Sequence, residues 1–182
     1  MKYFLTCMLL YQSLFLFGQE SNKKIKGNDI EMHANSTIGK QFNQFNVKTP
    51  GFSDFSNTNL QGKISFVNFW FESCPPCIAE LEGFNKLFDT LKYNKNFIFV
   101  SFTFDPDSTI QYLKKKYNIQ YHVFHIDRDE CYKLNFNNGF PASFILDRNG
   151  VVKYAKYGGV TDVELSTKDI MTKIYPRIIK EL

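Results

Sequence analysis

The pattern of hydrophobic and polar positions along this chain predicts alternating strands and helices. Runs dense in β-branched and aromatic residues, as buried strands are, cover 63–71, 97–104 and 121–126. After the first run, apolar residues recur at spacings of four and three from Cys77 to Leu91. That period predicts a helix over 75–93 with one continuous apolar face.

The later part of the chain continues this alternation. Further helices are predicted over 106–117, 130–134 and 162–180, and further strands over 42–47, 142–147 and 151–157. Asn149-Gly150 is a strong hairpin signal between the last two strands, and Pro176 should bend or shorten the last helix. This order implies parallel pairing first and antiparallel pairing at the end. The predicted fold class is α/β, a central mixed β-sheet flanked by helices.

The first 38 residues lack this alternation. A basic start is followed by an apolar run and the small residue Gly18, which is typical of a secretory signal peptide, and the run is shorter than the roughly 20 residues of a membrane span. We predict a signal peptide over 1–18, a flexible linker over 19–38 and one folded domain over 39–182. An uncleaved membrane anchor is the alternative. Cleavage would leave the protein periplasmic or secreted, where disulfides can form.

Composition limits the number of domains and the kinds of partner that the protein can have. The 182 residues are 43% apolar and 17% aromatic, which suits one domain with a substantial core. The net charge is +4, and no basic cluster interleaves with aromatic residues, so we predict no nucleic-acid partner. Of the four cysteines, Cys7 lies in the predicted signal peptide, and Cys131 is expected to be a buried free thiol in a short helix.

The other two cysteines, Cys74 and Cys77, flank two prolines just after a buried strand, where α/β sheets tend to form their sites. The unpaired N–H groups and dipole of a helix N-terminus stabilise a thiolate. Cys74 is therefore the expected exposed nucleophile, and Cys77, one turn into the helix, the resolving thiol. Because Pro75 and Pro76 have no N–H, they deprive the Cys74 thiolate of two donors. A less stabilised thiolate favours a reductant over an oxidant.

Glu80 is the candidate proton acceptor for the resolving thiol. It follows Cys77 by three residues, so the two are neighbours on the helix surface. A carboxylate at the border of the apolar face could be desolvated and take the Cys77 proton. It could equally be a solvated glutamate favoured by the helix dipole, and spacing alone leaves both interpretations open.

These residues carry a resemblance to a known family. FVNFWFESCPPCIAE, residues 66–80, resembles the active site of the TlpA/ResA-like branch of the thioredoxin superfamily. Gly139-Phe140-Pro141 before a strand, and the turn after that strand, extend the resemblance over about residues 39–180. It implies a thioredoxin-like fold in which Pro141 is a cis proline facing the cysteine pair and Phe140 grips substrate backbone.

The resemblance also assigns roles inside the motif. It places Trp70, Pro75 and Pro76 with Phe140 and Pro141 around the substrate groove. It favours the acid–base role for Glu80. Asn68 stands where cytosolic thioredoxins carry a buried Asp, and Phe71-Glu72-Ser73 departs from the small residues and Trp usual in the family, which leaves the substrate open.

We therefore predict that the protein is an enzyme, an exported thiol-disulfide oxidoreductase that reduces disulfides in other exported proteins. Cytochrome c maturation is one candidate process by family. No metal or organic cofactor is expected beyond the Cys74–Cys77 dithiol. The implied partners are disulfide-bearing exported proteins and a membrane thiol-donating reductant, and a monomer is expected. Two alternatives stay open: a disulfide-forming oxidase or isomerase, and a non-enzymatic metal-binding module resembling a copper chaperone.

Overall fold

Strands and helices alternate along the part of the chain that the computed structural model describes, residues 34–48 and 54–182. The strands are β1 (Asn46–Val47), β2 (Phe55–Ser56), β3 (Ile64–Phe69), β4 (Phe97–Thr103), β5 (His122–His125), β6 (Ala142–Leu146) and β7 (Val152–Tyr157). The helices are α1 (Asn57–Leu60), α2 (Pro75–Leu91), α3 (Asp107–Tyr117), α4 (Arg128–Leu134), α5 (Val163–Asp169) and α6 (Tyr175–Glu181), with a π-helical turn, Ile170–Ile174, between the last two.

A five-stranded mixed sheet positions the cysteine motif. Its strand order is β5-β4-β3-β6-β7. The strands β3, β4 and β5 are parallel, whereas β6 runs antiparallel to β3, and β7 antiparallel to β6. Every residue of the central strand β3 is buried, as its run of β-branched and aromatic side chains predicts. The predicted α/β class with a mixed sheet is confirmed.

Apolar side chains pack on both faces of this sheet, and phenylalanines dominate both layers. Alternation along β3 sends Phe66 to the layer under α2 and Phe69 to the opposite layer. In the α2 layer, the Tyr121 ring lies flat on Phe99, with centroids 4.0 Å apart and planes 1° from parallel. The high aromatic content is therefore largely core.

The predicted strand over 42–47 is wrong for most of its length. Only Asn46–Val47 are paired, with Phe55–Ser56. Phe42 and Phe45 are both buried in the core, and a spacing of three residues cannot place two side chains on one face of a strand. The Phe45 amide instead donates to Asn57 Oδ1 at 2.7 Å.

The predicted signal peptide, residues 1–18, and the predicted linker up to residue 33 lie outside the described residues. The linker prediction does not hold for residues 34–37, which are helical. Thr37 is buried, and its hydroxyl is 2.8 Å from the Tyr157 hydroxyl on β7. The folded part thus begins a few residues before the predicted boundary at residue 39.

The predicted closing helix is interrupted just before Pro176. In the π-helical turn, the Tyr175 amide donates to the Ile170 carbonyl, five residues back. Proline lacks an N–H and its ring collides with the carbonyl four residues earlier in a regular helix. The wider turn accommodates this, so the expected bend is a π turn that precedes the proline.

This C-terminal helical segment packs very close to α2 at Gly83. A Cβ at this position would lie 2.6 Å from Ile170 Cδ1 and 3.0 Å from the Thr167 Cα. Real Cβ atoms do not approach so closely, so the glycine is required by the helix crossing. The crossing brings α5 to the same face of α2 that carries Glu80, one turn earlier.

We expect Gly83→Ala to destabilise the protein by about 1–3 kcal/mol, because overpacking outweighs the better helix propensity of alanine. Urea denaturation measures this change. Ile170→Val removes the Cδ1 atom that the new methyl group would meet, so the double variant should recover part of the loss. A Gly83→Ala protein as stable as the wild type would contradict the close crossing.

Candidate active site

The cysteine pair sits at the junction of β3 and α2. Cys74 is the N-cap of α2, and its carbonyl accepts from the Ile78 amide at 3.1 Å. Cys74 and Cys77 form a disulfide with a Cα–Cα distance of 5.2 Å. Pro75 and Pro76 occupy the first helical positions, where a missing N–H breaks no intrahelical hydrogen bond. The predicted placement of the motif at a helix start is confirmed.

The prediction that Cys74 is exposed is wrong for this disulfide form. Cys74 is 5% exposed and Cys77 is 1% exposed, so Cys74 is only the more accessible of two covered residues. The pair packs in one apolar cluster with Trp70 and Leu113, and Phe140 lies against it. Phe140 is distant in sequence, so no local pattern around the motif predicts this cover.

Trp70, which the resemblance assigns to the substrate groove, is buried in this disulfide form. Trp70 follows the last residue of the central strand, and its amide donates to the Phe102 carbonyl at 3.2 Å. The residue is 1% exposed and packs with both cysteines. The indole therefore supports the disulfide from the interior of the protein and presents no surface to a partner.

The Phe140–Pro141 peptide bond is cis, as the resemblance implied. The structure brings Pro141 to the same place as Pro76 and Glu80. A Cβ on Gly159 would lie 3.2 Å from Pro141 Cγ, 3.2 Å from Glu80 Oε1 and 3.4 Å from Pro76 Cβ. Gly159 is thus a site residue that the sequence analysis missed. The Gly-Gly pair directly after the last strand was the available signal.

Half-buried aromatic rings extend from the disulfide on the Phe140 side. The Phe140 ring makes edge contacts with Phe71, Phe104 and Tyr132, at centroid distances of 5.3, 5.6 and 5.4 Å. The Arg128 guanidinium lies 5.1 Å from the centre of the Phe104 ring. Phe71 is one of the departures from the family pattern, so this aromatic face is partly particular to this chain.

Asn68 makes a neutral, fully paired network beneath the motif. Its Nδ2 donates to the Ala142 carbonyl at 3.3 Å and to Ser143 Oγ at 3.2 Å. Its Oδ1 accepts from Ser101 Oγ at 3.1 Å. The register of β3 with β4 and β6 places Ser101 and Ser143 directly opposite Asn68. The position that carries a carboxylate in cytosolic thioredoxins thus carries no charge here.

Glu80 is buried, with 1% of its surface exposed. Its Oε1 accepts a hydrogen bond from Lys156 Nζ at 2.7 Å, whereas Oε2 has no hydrogen-bond partner among the described residues. Burial raises the pKa of Glu80 above its ordinary value of 4.5, the Lys156 charge opposes this rise, and the Asp169 charge adds to it. The interpretation of Glu80 as a solvated glutamate is therefore wrong.

Cys131 is a buried free thiol, as predicted. Burial, followed by the charges of Asp105 and Glu130, raises the pKa of Cys131 to about 12. A thiol with so high a pKa is protonated at neutral pH and unreactive. The redox chemistry therefore belongs to the Cys74–Cys77 pair.

Within residues 34–48 and 54–182, no group of three or more His, Cys, Asp or Glu side chains is arranged to hold a metal ion. No helix in the same ranges is long and apolar enough to cross a membrane.

Several known proteins are similar to this chain in sequence. The sequence pattern of the AhpC/TSA family matches residues 38–155. The thiol:disulfide interchange protein DsbE of Pseudomonas fluorescens biotype C is 28% identical over 186 residues, covering 98% of this chain and 92% of that protein. The thiol-disulfide oxidoreductase ResA of Geobacillus kaustophilus (strain HTA426) is 28% identical over 116 residues, covering 62% and 66%.

Solved structures show the same fold. A thioredoxin-family thiol:disulfide interchange protein from Chlorobium tepidum TLS superposes with a TM-score of 0.57 at 25% identity, covering 71% of this chain and 94% of that chain. A secreted disulfide oxidoreductase of Mycobacterium tuberculosis superposes with a TM-score of 0.61 at 20% identity, covering 75% and 96%. The mixed sheet with its flanking helices is thus a thioredoxin-like fold. The chain belongs to the AhpC/TSA family, and within the thioredoxin superfamily it fits the TlpA/ResA-like thiol-disulfide oxidoreductases.

Proposed function

We propose that this protein reduces disulfides in other exported proteins through the Cys74–Cys77 dithiol, acting as a monomer that a membrane thiol donor re-reduces. The observation that carries the proposal is a disulfide at a helix N-terminus with a buried carboxylate one turn further along the same helix. The relatives named thiol:disulfide interchange protein DsbE and thiol-disulfide oxidoreductase ResA support the thiol chemistry. Cytochrome c maturation is the candidate process by family, and no metal or organic cofactor takes part.

The first step is attack by the Cys74 thiolate on one sulfur of a partner disulfide. A new bond forms between Cys74 Sγ and that sulfur, and the other partner sulfur leaves as a thiolate. Cys74 is the nucleophile because it caps the helix and is the less covered of the two cysteines. The cis Phe140–Pro141 edge and the exposed Pro75 lie beside it, which supports their role in holding partner backbone.

The second step is displacement by Cys77. The Cys77 thiol gives its proton to the Glu80 carboxylate, and the resulting thiolate attacks Cys74 Sγ. The second partner sulfur leaves as a thiolate, and the Cys74–Cys77 disulfide closes. Two electrons have then passed to the partner, and its two thiolates take protons from solvent. Glu80 suits this role because burial raises its affinity for a proton.

The direction of electron flow follows from the prolines. A strong oxidant has a stabilised reduced form, and the N–H groups of a helix N-terminus are one source of that stabilisation. Pro75 and Pro76 stand at the first two positions of α2 and have no N–H to donate. The reduced form gains less from the helix terminus, which favours a protein that gives electrons away.

The first test is the reduction potential of the pair, measured with Cys7 and Cys131 replaced by Ser. We expect a value near or below about −230 mV, in the range of reducing thioredoxin-fold proteins. A value above about −150 mV would mean that the protein forms or rearranges disulfides instead. The absence of any reversible couple would favour the metal-binding alternative.

The second test captures partners. In cells that express Cys77→Ser, partner proteins should accumulate as mixed disulfides on Cys74, because the resolving step is blocked. Cys74→Ser should capture none, and Cys131→Ser should behave as the wild type, since that thiol is buried. Mass spectrometry after non-reducing electrophoresis identifies the partners. Equal capture by the Cys74→Ser and Cys77→Ser variants would contradict the assigned roles.

The third test concerns Glu80. Because its pKa is raised above 4.5 in the folded protein, the folded state binds this proton more tightly than the unfolded chain does. Between 4.5 and the folded-state pKa, the group's contribution to stability falls as pH rises, by at most about 1.4 kcal/mol per pH unit. Glu80→Gln should remove this slope, as urea denaturation of the disulfide form at several pH values would show.

The matched control for this experiment is Glu82→Gln, on the same helix. Glu82 is exposed and makes an ion pair with Lys86, one turn away, so its loss should change stability by less than about 0.5 kcal/mol. Glu80→Gln should also slow the second chemical step and leave the first unchanged. A wild-type protein and a Glu80→Gln variant with the same pH slope would rule out the raised pKa.

A further inference from the structure

We propose that Lys156 is a positioning residue for the resolving step: it holds one oxygen of Glu80, leaves the other for the Cys77 proton, and joins the buried carboxylate to an open groove. This inference rests on the proposed function, because it concerns how Glu80 serves Cys77. It assigns a task to a lysine on the last strand, far from the cysteine motif in sequence.

The charged side chains form a continuous chain from the interior to the surface. Lys156 Nζ lies 2.7 Å from Glu80 Oε1 and 3.4 Å from Asp169 Oδ2. Asp169 Oδ1 lies 2.5 Å from Lys173 Nζ. The exposed fractions of these side chains rise outward, from 1% for Glu80 to 18% for Lys156, 23% for Asp169 and 64% for Lys173.

A groove of about 460 Å³ opens beside this chain, and Lys156, Gly159, Asp169 and Lys173 line it. Gly159 has no side chain to close the groove at its inner end, where a Cβ would lie 3.2 Å from Glu80 Oε1. The groove therefore reaches Lys156, whose ammonium contacts Glu80 Oε1, while Glu80 itself lies behind the groove lining. A proton that leaves Glu80 has a short path to solvent at this point.

Lys156 occupies a position that the fold would otherwise give to an apolar side chain. Its neighbour at the same strand face, Tyr154, packs in the apolar layer under α2. An unpaired ammonium in such a place is costly, and Glu80 together with Asp169 compensates it. The close crossing at Gly83 brings α5, and therefore Asp169, within reach.

The titratable groups around Glu80 come from every element packed against it. Cys77 precedes it on α2, and Tyr121 interacts with it from the position just before β5. Lys156 faces it from β7, and Asp169 approaches from α5. Of these neighbours, only Lys156 lowers the pKa of Glu80, against burial and Asp169, which raise it. Without the lysine, the carboxyl group would stay protonated to higher pH and could not accept the Cys77 proton.

The proton balance is simple. Cys77 loses its proton to Glu80 Oε2, which has no hydrogen-bond partner among the described residues, while Oε1 stays bonded to Lys156. Once the disulfide has closed, Glu80 releases the proton to solvent in the groove. Burial lowers the pKa of Lys156, but the charge of ionised Glu80 and that of Asp169 outweigh it and raise the pKa above its ordinary value. While Glu80 holds the proton, Asp169 remains as the anionic partner of the Lys156 ammonium.

The experiment follows the two steps separately. Full-length reduced protein with Cys7→Ser is mixed with one equivalent of dithiobis(nitrobenzoate) across a range of pH. The first release of nitrothiobenzoate reports attack by Cys74, and the second reports displacement by Cys77. Lys156→Met should move the pH profile of the second phase to higher pH and slow it about tenfold or more at neutral pH, since one pH unit is a factor of ten in carboxylate fraction. The first phase should not change.

Three further variants separate positioning from structural support. Lys168→Met removes the same charge from the same groove without contacting Glu80, and its second phase should match the wild type. Lys156→Arg keeps the charge and should keep most of the profile. Asp169→Asn removes a charge that raises the pKa of Glu80, so it should move the profile to lower pH, which a purely structural ion pair would not do.

The inference is overturned if Lys156→Met leaves the second-phase profile in place, or if Lys168→Met moves it equally. Should Lys156→Met fail to fold, an unmoved profile in Asp169→Asn would overturn it instead. Partner capture by Cys77→Ser does not depend on Lys156. If partners are captured but the second-phase pH profile of Lys156→Met does not move, only this inference is contradicted. If Cys77→Ser captures no partner proteins, the proposed function is contradicted.

Discussion

A buried carboxylate beside a disulfide constrains the rest of this site. Glu80 is the only fully buried charged side chain in residues 34–48 and 54–182, and removing such a charge from water costs several kcal/mol unless it is paired. The cation that pairs with Glu80 is Lys156 on β7, and Asp169 on α5 in turn pairs with Lys156. The relative placement of α2, β7 and α5 is therefore fixed by charge as well as by apolar packing. A site that needed only a disulfide would require none of these contacts.

Because Asn68 is a neutral amide, it adds no second carboxylate to the interior beneath the motif. Two carboxylates in one site would repel, and their protons would come off as a coupled pair. Asn68 instead satisfies its hydrogen bonds with Ser101, Ser143 and the Ala142 carbonyl. The proton affinity of Glu80 is then a balance between burial, which raises it, and Lys156, which lowers it, with a smaller rise from the Asp169 charge. A change in any of these contributions would move the pH at which the resolving thiol can be deprotonated, without altering the nucleophile.

The sequence predicts those features that depend on neighbours along the chain. Local spacing predicts the strands with a repeated apolar pattern, the helix that begins at Pro75 and the place of the cysteines at its start. The cis bond at Pro141 follows from the resemblance to the family. Local patterns fail where contacts come from far away. Phe140 covers the cysteines across more than sixty positions, and Lys156 reaches Glu80 over a separation of 76. The strand prediction fails from Phe42 to Phe45 for the same reason, since burial of both rings in the core overrides strand alternation.

Two glycines show how the missing side chains shape the chemistry. Gly83 lets the C-terminal helical segment approach α2, and Gly159 lets the chain leaving β7 approach Glu80, Pro76 and Pro141. Each glycine removes a methyl group from a point where helix or strand backbone meets the site. The first approach brings Asp169 to Lys156, and the second makes Gly159 part of the lining of the groove beside Lys156. The proposed proton route therefore depends on these two missing side chains as well as on the charged groups, so a substitution that leaves every titratable group in place can still block it.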